Sequence, residues 1–143
     1  MSPGKMIFAL ALILLTLTGC GRDDPAAALD AAVQRLQDNL EAKKTGAVLD
    51  QLHPQFTAQK EFDREWAKRT MTLLFLRHNN VRILALGKTN RIDPTYSTKG
   101  YTEAQVGLAG AEGLIPDAAR HYAVKLEWWL EDGEWKLARL DWE

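Results

Sequence analysis

Five side chains in this 143-residue sequence are the candidates for reactive or ligating chemistry: Cys20, His53, His78, His121 and Asp141. A thiolate is the strongest nucleophile among them, and Cys20 is the only cysteine, so no internal disulfide is possible. His53 precedes Pro54 and could serve as an acid or base near neutral pH if it faced a pocket. The plainer expectation is a helix cap or a surface residue. His78 closes a predicted helix and has the same explanation, while His121 beside Arg120 opens a strand and is expected at a rim. Asp141, between Leu140 and Trp142, is the second weak catalytic candidate, with surface pairing to Arg139 or Lys136 the favoured alternative. The histidines are scattered, with no His-x-x-x-His or Cys-x-x-Cys spacing, so no metal is expected. Gly107, Gly110 and Gly113 do not sit between a strand and a helix; they read as bends in or after a strand rather than a phosphate cradle, and no cofactor is implied.

The surroundings of Cys20 decide its meaning. Met1–Lys5 is short and basic, Met6–Leu15 is almost wholly aliphatic, and Leu17-Thr18-Gly19 supplies small residues before Cys20. This is a secretory signal layout, and its apolar run is far short of the roughly 20 residues a membrane-spanning helix needs. Leu17-Thr18-Gly19-Cys20 resembles the lipobox of bacterial lipoproteins. The resemblance implies cleavage between Gly19 and Cys20, and acyl chains on the Cys20 thiol that hold the protein at a bilayer. With Gly21 rather than Asp after the cysteine, it further implies an outer-membrane destination facing the periplasm. The expected organisation is a signal peptide over 1–19, a lipidated tether over 20–24 and one α+β domain over 25–143. Net charge is −1, and removing Lys5 with the signal makes it more negative, so no basic footprint for nucleic acid exists.

Asp24-Pro25 is a helix-start signal, and Leu29, Ala32, Val33, Leu36 and Leu40 form one apolar stripe that Lys43, Lys44 and Gly46 should end. A short helix over about 46–52 should stop at His53-Pro54. A third, roughly Lys60 to His78, carries Phe62, Trp66, Thr70 and Leu73 on one face, and its apolar stretch Met71–Leu76 predicts burial on more than one side. After residue 80 the period becomes two: Val81, Ile83 and Ala85; Ala104, Val106 and Leu108; Tyr122, Val124, Leu126, Trp128 and Leu130. Glu131-Asp132-Gly133-Glu134 is a hairpin turn. In the last strand Trp135 and Leu137 are odd but Leu140 and Trp142 even, which predicts a β-bulge near Ala138 and Arg139.

Helices followed by an antiparallel meander predict helices packed on one face of a curved sheet. The segments Thr45–Phe56, Tyr122–Trp128 and Glu131–Leu137 together resemble the NTF2-like, or cystatin-like cone, superfamily. That resemblance implies a cone enclosing an apolar pocket, used by some members for isomerase, dehydratase or hydrolase chemistry and by others only for binding. In the isomerase branch a carboxylate acts as base while a tyrosine and a second acid polarise a carbonyl. The first helix here has no tyrosine, so those roles are not carried over and a non-catalytic binder of a small apolar ligand or partner is favoured; isomerase or hydrolase action and a structural role in envelope assembly are the alternatives. Trp66, Tyr122, Trp128 and Trp142 are the expected ligand-binding aromatics, against plain core. Leu84, Leu86 and Trp129 lie off the inner face and, if aligned, would make an apolar interface patch for a homodimer, a surface such proteins often use; three solitary exposed residues are an equal alternative.

Overall fold

In the computed structural model the described residues are 24–110, 113–114 and 121–143. The signal segment with Gly19 and Cys20, the tether up to Asp23, and Arg120 lie outside them. The elements run α1 (Pro25–Glu41), α2 (Thr45–Gln51), β1 (Leu52–Ala58), α3 (Arg64–Arg77), β2 (Arg82–Ile92), β3 (Lys99–Gly110), β4 (Gly113–Leu114), β5 (Tyr122–Glu131) and β6 (Glu134–Trp142). Among the described residues no helix is long and apolar enough to cross a membrane.

Helix α1 starts as its sequence dictates. The Asp24 carboxylate accepts the N–H groups of Ala26 and Ala27, with Pro25 in the first turn where no amide is missed. Leu29, Ala32, Val33 and Leu36 are buried and Leu40 packs against the core. Its end differs from expectation: Lys43, not Gly46, takes the left-handed conformation at φ 58, and Gly46 lies inside α2. The Lys43 ammonium donates to the carbonyls of Phe75 and His78, the negative end of α3, which offsets the backbone cost.

Strand β1 was not foreseen. It pairs in parallel with β6 at the edge of the sheet, where Pro54 needs no ladder bond. The ladder is extended by Gln59, whose carboxamide donates to the Trp142 carbonyl at 2.9 Å and accepts its N–H at 3.1 Å. The sheet is therefore mixed, ordered β1-β6-β5-β3-β2 with β4 on β3, the last strands forming the expected meander. Gln59 and Lys60 are both left-handed, so α3 begins only after Asp63, which caps the Trp66 N–H at 3.0 Å. Helix α3 buries Ala67 and Met71, but Leu73 and Leu76 are 55% and 78% exposed. Its apolar second half is thus covered on one side only, because no described element lies beyond it.

The hairpin turn is as read, with Asp132 and Gly133 both at positive φ. The β6 bulge is present too: Glu127 faces Arg139 while Trp128 faces Leu137, leaving Ala138 as the extra residue. The core lies between α1 and the concave sheet face, with Trp128, Trp135, Leu137 and Phe56 meeting Leu29, Val33 and Leu36. At Gly100 a side chain would have no room, since an added Cβ would lie 2.8 Å from Leu29 Cδ2.

Candidate functional site

Beyond this filled region the concave face leaves a cavity of about 350 Å³. Ile83 and Ala85 of β2, Ala104, Val106 and Leu108 of β3, and Val124 and Leu126 of β5 form its floor. Val33, Leu36 and Leu40 of α1 form one wall, and Trp66, Ala67, Met71 and Leu74 of α3 the other. Period-two patterning put these strand residues on one face, and the small side chains among them, Ala85, Ala104, Val106 and Val124, leave the space.

The polar members of the described lining are Gln37, Thr70, Lys88 and Thr102. Thr102 is already committed. Its hydroxyl accepts the Trp128 indole N–H at 3.1 Å and donates to Asn90 Oδ1 at 2.6 Å, and Asn90 in turn donates to Asp30 at 2.9 Å. This chain satisfies polar groups beneath the sheet without offering one to a ligand. Gln37 donates to the Ile83 carbonyl at 3.3 Å. No carboxylate, imidazole or thiol belongs to the described lining, and no three His, Cys, Asp or Glu side chains converge among the described residues.

The four aromatics expected to bind ligand divide. Trp66 lines the cavity, held in a stack between Phe62 at 5.0 Å and Trp142 at 6.0 Å. Trp142 is therefore one ring behind the wall. Trp128 is fully buried and bonded to Thr102, so it is core, and Tyr122 is not a lining residue. Burial sets Trp128 apart, and position in the stack, rather than strand phase, sets Trp142 behind Trp66.

His53 is neither a cap, nor on the surface, nor at the cavity. It is buried in β1, where Nδ1 accepts the Gln55 N–H and Nε2 meets Glu131 Oε1, both at 3.0 Å. With Nδ1 accepting, Nε2 carries the proton and donates to the carboxylate. The Trp129 indole meets its ring edge-on at 4.7 Å, donates its N–H to Glu127 at 2.6 Å, and lies under the Arg139 guanidinium at 5.9 Å. Arg139 pairs with Glu127 at 3.4 Å rather than with Asp141, and Lys136 with Glu134 at 3.2 Å. Asp141 stands opposite Lys125 on the outer face. His78 follows the last turn of α3, and His121 is exposed with its ring against Gly107.

Leu84 and Leu86 are exposed on edge strand β2. Leu86 is level with Gln105 and Trp129 with Lys99, six residues apart along β3, so the three do not form one patch.

Lys88 was missed, although a signal for it exists. Apolar residues point inward at odd positions through Ala85 and at even positions by Ile92, the same phase switch that exposed the β6 bulge. Gly87 lies at the switch with φ +59, and the register shifts between Leu86 and Thr89.

No family model matches the chain, and no curated protein matches it. Solved structures do. Bd1075 of Bdellovibrio bacteriovorus is similar at TM-score 0.68 and 9% identity over 80% of this chain, which spans only 40% of that longer protein. An NTF2-like protein of unknown function from Pseudomonas putida matches at TM-score 0.67 and 5% identity, covering 82% of this chain and 84% of its own. A protein assigned to the ketosteroid isomerases, from Shewanella frigidimarina, matches at TM-score 0.62 and 17% identity, covering 86% and 98%. At such identities the likeness speaks for architecture alone, and the architecture is the NTF2-like, cystatin-like cone.

Proposed function

We propose that this chain is a lipid-anchored envelope protein, on the periplasmic side of the outer membrane, whose cone holds a small apolar ligand without transforming it. The observation that carries the binding role is the cavity of about 350 Å³, within the usual range for ligand sites, lined mostly by apolar side chains with no carboxylate or imidazole among its described residues. An isomerase or hydrolase reading would have to rest on Lys88, the one ionisable group of the described lining, with no carboxylate or imidazole beside it. The anchor rests on the run Leu17-Thr18-Gly19-Cys20 and the short apolar segment before it.

Mass spectrometry of the mature chain tests the anchor: the N-terminal residue should be an acylated Cys20, and Cys20→Ser should leave the membrane fraction. An unprocessed Met1 would overturn it. Organic extraction of the purified protein tests the cavity, with one small apolar molecule expected per chain. Recovery of the same molecule from a variant with a filled cavity would remove the cone as its site.

A further inference from the structure

In a regular strand Lys88 would alternate outward with Leu84 and Leu86. It lines the cavity instead, because the bulge places Gly87 and Lys88 together opposite Ala104 and reverses the phase from there to Asn90, whose side chain meets Thr102 beneath the sheet. Gly87 has nothing within 4 Å of an added Cβ, so glycine is needed there for its φ of +59 and not for space. Lys88 is exposed and is the sole charged residue of the described lining. No carboxylate lies within ion-pair distance of it among the described residues. Its stem adds to the apolar wall and its ammonium stands in water at the mouth.

Resting on the binding reading above, we infer that the ligand is a single-chain amphiphile with a carboxylate head, its tail in the cavity and its head on the Lys88 ammonium. A methylene group fills about 30 Å³, close to a water molecule's share of the liquid, so a cavity of about 350 Å³ takes a chain of roughly ten carbons. One cation balances one negative charge, which suits a carboxylate better than a phosphate dianion. Thr70, also exposed in the lining, supplies a hydroxyl donor at the mouth.

Titration calorimetry of the full chain with decanoate and with decanol separates head from tail. Decanoate should bind more tightly than decanol, and Lys88→Met should weaken decanoate about fivefold, the scale of a solvent-exposed ion pair, while leaving decanol unchanged. Lys88→Arg should restore decanoate. An inward lysine on an edge strand also discourages strand addition, and if that is its whole role the two probes will respond alike. Equal responses, or no response, overturn the inference and leave the cavity reading standing. Failure of the unmodified chain to bind either probe removes both.

Discussion

The two ends of the concave sheet face are built from the same strands and differ in what fills them. Toward the β5–β6 hairpin, Trp128 and Trp135 are buried to 0% and 3% exposure, and the Leu29 side chain fills the space that a methyl group on Gly100 would need. Toward the other end the corresponding positions are Ala85, Ala104, Val106 and Val124, and a cavity takes the place of side chains. Stability is concentrated where the rings are and binding capacity where they are not. One sheet supports both because its inward positions change from large rings to small aliphatic side chains along the strands, while α1 covers both ends.

Truncation at the filled end gives the largest expected effect. Trp128→Ala removes a fully buried indole and the N–H that the Thr102 hydroxyl accepts, and should cost about 3–5 kcal/mol in denaturant unfolding. A loss below 1 kcal/mol would mean the two ends are not distinct. At the open end, Ala104→Leu should shift stability by less than about 1 kcal/mol, since it grows into empty space. The same variant should lower binding of decanol and decanoate at least tenfold, which calorimetry reads directly. Unfolding with unchanged binding would reverse the assignment of the two ends.

The smallest effect concerns the loop after β2, at the filled end. Asp93 accepts the N–H groups of Thr95 and Tyr96 and the Tyr101 hydroxyl at 2.7 Å. The Tyr96 amide, then the Tyr101 hydroxyl and the Thr95 amide, hold its carboxyl below the ordinary value, and the same bond raises the Tyr101 hydroxyl. A lowered folded pKa means stability that is present above the ordinary carboxylate value of about 4 and is lost as pH falls through the lowered one. Asp93→Asn should therefore lower Tm slightly at pH 7, and the two melting curves should converge in acid. Parallel curves at all pH values would show that Asp93 acts only through loop geometry.

Much of the architecture was legible because it depends on local rules. The Asp24-Pro25 start, the α1 stripe, the Asp132-Gly133 turn and the β6 bulge each follow from a few neighbouring residues. The β2 bulge obeyed the same parity rule, but with Leu84 and Leu86 apolar on the outward side the alternation was blurred until Ile92. Strand β1 was hidden for a different reason: a parallel partner more than seventy residues away supplies its bonds, and nothing local distinguishes such a segment from loop. The misplaced burial of Leu73 and Leu76 shows the same limit, since hydrophobicity states a preference for cover and not whether an element exists to provide it.

The sequence by itself determined the signal-like leader and Cys20 motif, the helix starts and turns, and which strand residues share a face, because those depend on side-chain type and spacing along the chain. Only the tertiary structure decided that Trp128 is sealed while Trp66 borders open space, that His53 serves the outer face, and that Lys88 turns inward. Those outcomes depend on volume and register between segments distant in sequence, which no local pattern encodes.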